Sequence, residues 1–453
     1  MNYKLKVLSP LHIGCGEEYN ALSYLMDPRK NPPQLSILNE DLIFEMLKDG
    51  QIKSFVAWLE NERFPNLFYF FKNVLRDTNF SLQNKLRQKA IYTIPNYAGH
   101  EKLRDIKSFI KEMNHPYIPG TEIKGAIRTA VLYCSLLDNE ELFVWLKDRF
   151  NQFQRNNADK INEVKNKTKP NTKIKNELVK EMARIESAFQ EQVLCCKPKD
   201  AKYDVMKYLQ ISDSELLNAD KSLAVSYVKP FNINNIFSVF YEYIKPGTEI
   251  GLSTLALENE KSLKTKLDNM GFTDKQKKIV SGIDAIFNSC CRFSNDLLDE
   301  EISFFSKQDN KKFQSLEGKL RIINHLNEIK SQNKPESPVL RIGKDEGYNS
   351  LTVGLAVKKT DSDLYENVLI HATKNKSYDS NHGGPMPKSR KIVYWNGEET
   401  TAGWVQLIPE NISESQTNIK NNSDNQAGQG YKPATSEDLS KLQGMFNVKV
   451  KRK

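Results

Sequence analysis

Lys124 and Arg128 stand one helical turn apart in the stretch HPYIPGTEIKGAIRTAVLYC, from His115 to Cys134, where an ordinary soluble helix would open with acidic residues. Pro116 and Pro119 bracket an extended approach, Gly120 allows a tight turn, and Thr121 has the side chain of an N-cap. Ile123, Ile127, Ala130, Val131 and Cys134 follow at helical spacing, which predicts a helix with one face in a core. A capping box would place Glu or Gln at position 124, and a lysine there is disfavoured by the helix dipole by roughly 0.3–1 kcal/mol. Gly125 costs about another 1 kcal/mol relative to alanine. An anion seated on the helix N-terminus would account for the lysine, the glycine and the arginine together.

Two further segments join glycine to basic residues. SPLHIGCGEEYN carries His12, Gly14 and Gly16, and LRIGKDEGYNS carries Arg341, Gly343 and Lys344. Backbone amides approach a phosphate closely at glycine, while neighbouring cations supply charge. Each segment alone also fits a turn beside a solvated charge; their joint occurrence gives the pattern its weight. Neither G-x-x-x-x-G-K-[ST] nor G-x-G-x-x-G occurs, which excludes the familiar nucleotide-binding loops.

Catalysis has less support. His12 has the chemistry of a general base, but a lone histidine after a strand is more often a structural hydrogen-bonding residue. No H-x-x-x-H, H-E-x-x-H or G-x-S-x-G exists, and SDSE (Ser212 to Glu215) reads as a strand-to-turn junction rather than a metal site. The cysteines include the adjacent pairs Cys195–Cys196 and Cys290–Cys291 with no C-x-x-C, so reduced, partly buried thiols are expected instead of zinc. The expected function is binding, with no cofactor, no metal and no catalytic residue.

These residues need elements to hold them. YKLKVLSPLHIG predicts a half-buried strand ending in a Gly-rich turn. NEDLIFEMLKDG predicts a short helix capped by Asn39 and stopped at Gly50. IYTIPNYAG is extended and leads into a helical stretch before residue 115. Residues 138–200 form a Lys-rich helical insertion whose part near 156–177 is expected to be a mobile loop. Tyr241, Tyr243, Ile250 and Leu252 alternate around Pro246–Gly247, which predicts a hairpin. PGTEI occurs at 119–123 and 246–250, but period 3.6 follows the first copy and period 2 the second, so no repeat is inferred. Residues 258–335 are mainly helix and linker, 336–410 a last compact region, and 411–453 a loose basic tail.

The chain of 453 residues has 66 Lys plus Arg against 57 Asp plus Glu, a modest basic excess that hints at a polyanion. The first residues lack a secretory h-region and no apolar run nears the ~20 residues that span a bilayer, so a cytoplasmic protein without membrane contact is expected.

On the PLHIGCG, PYIPGTEIKGAIR and LRIGKDEG segments the sequence resembles the RAMP superfamily of CRISPR-associated RNA-binding proteins. The order of LQISDS, YEYIKPGTEI and LRIG looks most like the fifth subunit of the type III-A effector, the Csm complex. Cys15 departs from the commoner small residue, and GKDEGYNS is more charged than a plain Gly-rich loop. The resemblance implies an α+β fold of two RRM-like (ferredoxin-type) modules with helical insertions, the first in residues 1–257 and the second in 336–410. It implies a non-catalytic subunit that caps the backbone filament at the 3′ end of the crRNA and supports crRNA maturation and antiviral defence. Its partners would be the 3′ region of the crRNA, the repeating backbone subunit, the small subunit and a host trimming nuclease. His12, Gly14, Gly16, Gly120, Thr121, Lys124, Arg128, Arg341, Gly343 and Lys344 would meet RNA. The alternatives are a crRNA-processing endoribonuclease using His12 as acid–base, or the target-cleaving backbone subunit.

Overall fold

Alternation in YKLKV builds the first strand, Tyr3–Val7, with Tyr3, Leu5 and Val7 buried and the two lysines half-buried between them. It lies between Glu249–Leu252 and Trp404–Pro409, antiparallel to both, and Val339–Arg341 completes this four-stranded sheet. A six-stranded sheet runs in the order Glu398–Thr400, Lys391–Trp395, Leu223–Pro230, Val239–Ile244, Ile106–Phe109, Gly14–Tyr19. Its one parallel pair is Val239–Ile244 with Ile106–Phe109. Strands from both ends of the chain share both sheets, so the boundaries expected at 257 and 336 do not separate sheets. The computed structural model describes residues 3–62, 65–99, 103–166, 172–231, 238–315, 317–365, 387 and 389–410. Met1–Pro409 form one unit and Glu410–Lys453 a second; the tail expected from 411 lies outside the described residues.

Mixed helix and sheet is the observed class. The Gly120–Leu137 helix buries Ile123, Ile127, Ala130, Val131 and Cys134, the stripe read from the sequence. It packs along the Ile283–Ser306 helix, which also meets the Gly318–Gln332 helix and strand Val339–Arg341. Ile286, Cys290, Phe293 and Leu297 recur at helical spacing on the buried side of Ile283–Ser306, and Phe287 meets Tyr3 edge-on at 5.4 Å. Residues 24–95 have a core of their own. There Leu25 of strand Tyr24–Asp27 joins helices Asp41–Met46, Asp49–Asn61 and Ser81–Gln88 around Phe55, Phe70, Phe71 and Leu86. The strands paired antiparallel beside it, Gln34–Ile37 and Tyr92–Pro95, turn Leu35, Ile37, Tyr92 and Ile94 into the main core.

Several expectations change. Gly50 stops nothing: it lies inside Asp49–Asn61, where Phe55 anchors a new helix. The stretch before residue 115 is not helical but forms strand Ile106–Phe109 and the hairpin Lys111–Glu112/His115–Pro116. Pro246–Gly247 is a turn, yet its flanking strands do not pair with each other. Val239–Ile244 belongs to the six-stranded sheet and Glu249–Leu252 to the four-stranded one, because Gly247 N–H donates to the Val7 carbonyl (2.7 Å) and redirects the chain. The insertion is helical over Glu140–Asn156, Ala158–Asn166 and Thr172–Leu194, with Leu142, Leu146, Phe150 and Phe153 buried on the first and Leu178 and Met182 on the last. Of the part expected to be a loop, the described residues are helical, with Ile161 buried on Ala158–Asn166; residues 167–171 lie outside the described residues. Among the described residues the cysteines are free thiols, no group of three or more His, Cys, Asp or Glu could hold a metal, and no helix is long and apolar enough to cross a membrane.

Candidate nucleic-acid interface

The three glycine-bearing segments meet in the fold. The turn after the first strand is stitched to the late loop by backbone hydrogen bonds: Lys344 N–H to the His12 carbonyl (2.8 Å), Ile342 N–H to Gly403 (2.8 Å) and Gly403 N–H to Pro10 (3.0 Å). Gly343 sits at φ +82° with the His12 carbonyl where a Cβ would be, so this close crossing requires glycine. The first turn of the Gly120–Leu137 helix lies beside the same loop. Burial pushes the Glu346 carboxyl up to about 8, Arg341 opposes this, and the charge of Glu122 adds to it.

Within this cluster the side chains divide sharply. His12 is 2% exposed, its Nδ1–H donates to the Glu242 carbonyl (2.7 Å), and its ring packs on Tyr241 (4.4 Å) and Phe109 (6.0 Å). Burial lowers its pKa to about 4, only partly offset by that hydrogen bond, so it is neutral at pH 7. Arg341 is 5% exposed; it donates to the Ala402 carbonyl (3.1 Å), pairs with Glu301 (3.4 Å) and lies over Trp404 at 4.9 Å. Both residues, expected to reach RNA, are enclosed with internal partners. Gly14 and Gly16, by contrast, are exposed on the edge strand Gly14–Tyr19, whose register against Ile106–Phe109 shifts between Gly14 and Glu18. Lys344 is exposed beside them in the stitched loop.

The helix mouth holds the correction with the most chemistry. Pro119, extended at φ −61° and ψ 133°, is the N-cap, and Thr121 is an exposed second residue of the helix rather than its cap. The Gly120 N–H donates to Asp213 Oδ1 at 2.8 Å, so the anion expected there is supplied by the chain itself. A Cβ on Gly120 would lie 2.6 Å from the carbonyl oxygens of Ile211 and Ser212, which is why this loop can come so near. Ser214 clamps the approach, accepting the Ile118 N–H on its Oγ (2.8 Å) and donating its own N–H to the Ile118 carbonyl (2.9 Å). Lys124 Nζ donates to the Leu209 carbonyl (2.7 Å), and burial lowers its pKa. Arg128 pairs with Asp204 (2.6 Å) and donates to Gln190 Oε1 (3.3 Å). Asp204, Asp213 and Ser214 were missed because only their place in LQISDS and YDVMK, remote in sequence from the helix, marked them.

Beneath the Gly14–Tyr19 strand lies a polar network that the sequence did not signal. The buried Glu242 carboxylate accepts from Tyr92 Oη (2.7 Å), Phe109 N–H (2.9 Å) and Lys111 Nζ (2.5 Å), and Tyr92 in turn hydrogen-bonds to Tyr19 (2.9 Å). A fully partnered buried charge fixes the register of the strands it links.

Comparison with known proteins agrees with this architecture. A protein from Methanocaldococcus jannaschii described as CRISPR system Cms protein Csm5 is 25% identical over 430 residues, which span 90% of this chain and 88% of the relative. A Streptococcus thermophilus protein with the same description is 28% identical over 35% of this chain and 44% of its own. Among solved structures, a chain of a Csm–crRNA–target RNA ternary complex in a type III-A CRISPR-Cas system superposes with a TM-score of 0.63 at 22% identity, covering 90% of this chain and all of the other. The crystal structure of T. onnurineus Csm5 gives 0.59 at 22% identity over 89% and 99% of the two chains. With the RAMP superfamily model matching residues 4–429, the chain belongs to the RAMP superfamily.

Proposed function

We propose that the chain is a non-catalytic RNA-binding subunit of a type III-A CRISPR interference complex, capping the backbone filament at the 3′ end of the crRNA. The observation that carries this reading is the meeting of PLHIGCG, PGTEIKGAIR and LRIGKDEG in the fold, with Gly14, Gly16, Thr121 and Lys344 exposed. Exposed glycine backbone beside a lysine suits phosphates and sugar hydroxyls, and reads no sequence. Relatives described as Csm5 and the likeness to a chain of a Csm–crRNA complex support the assignment to that assembly. The crRNA and the other Csm subunits, among them the repeating backbone subunit and the small subunit, are then its partners in the cytoplasm.

The RRM-like reading also gains support. Val239–Ile244 and Ile106–Phe109 run parallel with Leu223–Pro230 and Gly14–Tyr19 antiparallel outside them, as in a split βαβ unit. The burial and neutrality of His12 favour a structural over a catalytic role.

Ultraviolet cross-linking of the reconstituted complex on labelled crRNA tests the proposal. Cross-links from the 3′ part of the guide should map to peptides containing residues 12–16 and 343–347. Cross-links confined to the 5′ end would sink it. Cleavage of repeat RNA in EDTA, abolished by His12→Ala, would establish the endoribonuclease instead.

A further inference from the structure

A second cationic surface lies in the part of the molecule with its own core. Between residues 65 and 90, Lys72, Arg76, Lys85, Arg87 and Lys89 accompany a single carboxylate, Asp77. That carboxylate is engaged: it accepts the N–H groups of Ser81, Leu82 and Gln83 at 2.8, 3.1 and 3.2 Å, opening the Ser81–Gln88 helix. Asp27, in the adjoining strand, is taken by Arg29 (2.7 Å) and Arg87 (3.8 Å). Lys72, Arg76, Lys85 and Lys89 are exposed and have no carboxylate partner among the described residues.

Aromatic rings are interleaved with these cations. Phe68 and Phe80 stack with centroids 6.2 Å apart, Lys72 lies 5.9 Å over Phe68, and the Arg29 guanidinium lies 4.0 Å over Phe80. Tyr69, 54% exposed, stands edge-on to Phe68 at 5.5 Å. The backbone presenting them is unusual: Phe70–Val74 is a π-helical turn, and Arg76 and Phe80 occupy the left-handed region at φ +52° and +55°. Such conformations cost free energy in bulky residues and concentrate where a partner is met.

We propose that this surface binds single-stranded RNA, with Lys72, Arg76 and Lys85 following the phosphates and Tyr69 offering a face to a base. Unopposed cations beside the exposed ring of Tyr69, which is backed by the buried Phe68, are what a single strand requires, since every nucleotide presents both a charge and a π-face. The inference rests on the chain being an RNA-binding subunit, and extends that reading from one contact region to two.

Fluorescence anisotropy of a labelled oligouridylate of about 20 nucleotides with the full chain tests it. Lys72→Gln plus Arg76→Gln plus Lys85→Gln should weaken binding roughly tenfold at moderate salt and lower the log–log salt slope by about 2. Tyr69→Ala should weaken it about fivefold with the slope unchanged, and this variant decides the matter if the triple variant does not fold. Removing as many exposed lysines elsewhere, Lys311→Gln plus Lys312→Gln plus Lys334→Gln, should stay within about twofold. Wild-type chain that binds no RNA overturns both readings. Wild-type binding that neither the triple variant nor Tyr69→Ala weakens beyond the control overturns this one alone. Displacement of the RNA by polyglutamate at equal charge concentration would assign the surface to an acidic protein, and overturn it as well.

Discussion

The mouth of the Gly120–Leu137 helix and the surface between residues 65 and 90 are both rich in cations, and they use them in opposite ways. At the helix mouth Arg128 is held by Asp204 and Lys124 by a backbone carbonyl, while Asp213 occupies the N–H that would have met an outside anion. Between 65 and 90 the one carboxylate, Asp77, is spent on a helix cap, Asp27 of the adjoining strand is taken by Arg29 and Arg87, and the lysines stay in solvent. The same residue types therefore build structure in one place and leave charge free in the other. Local sequence does not distinguish these outcomes, because the deciding carboxylate at the helix is far away along the chain.

Breaking the helix mouth should show the largest effect. Gly120→Ala drives a methyl group into two backbone carbonyls that cannot yield separately, and should destabilise by about 3 kcal/mol in chemical denaturation. A loss below ~1 kcal/mol would mean that the Ile211–Ser212 loop moves aside freely.

The acidic side of the same junction gives a pH signature. Glu346, with a native pKa near 8 instead of 4.5, keeps a proton between those values that the unfolded chain has shed. Its contribution is therefore complete below about pH 4.5 and fades as pH rises toward 8. Glu346→Gln should raise stability relative to the wild type at pH 8, by roughly 2 kcal/mol after allowance for solvent screening, and make little difference at pH 5. Melting curves across that range check it; a constant offset would place the carboxylate in water.

The smallest effect sharpens the comparison most. Arg128→Gln should cost about 1 kcal/mol, as a part-buried pair with Asp204 is lost. The Lys72, Arg76 and Lys85 triple variant should unfold within ~0.5 kcal/mol of the wild type. Equal melting temperatures for both would erase the distinction between structural and free cations.

What the sequence disclosed follows from the range of each interaction. The stripe from Ile123 to Cys134 and the alternation of Tyr3, Leu5 and Val7 are local periodicities, and both elements stand where they were expected. Pro246–Gly247 shows the limit. Period 2 on either side declares two strands but not whether they face each other, and the Val7 carbonyl sends them to different sheets. The glycine segments were legible as a set, whereas the enclosure of His12 and Arg341 was not. Their partners, the Glu242 carbonyl and Glu301, are brought close only by the completed fold.

The strand Tyr3–Val7 pairs on one side with Glu249–Leu252 and on the other with Trp404–Pro409. During synthesis this strand leaves the ribosome well before either of its neighbours and is thus among the last to be completed. Its apolar face and both of its hydrogen-bonding edges must wait while the intervening residues emerge, a long exposure for an aggregation-prone edge. A premature stop ahead of Trp404 would leave that edge open for the life of the chain, so truncated translation products are expected to be cleared or to aggregate rather than persist as shortened subunits.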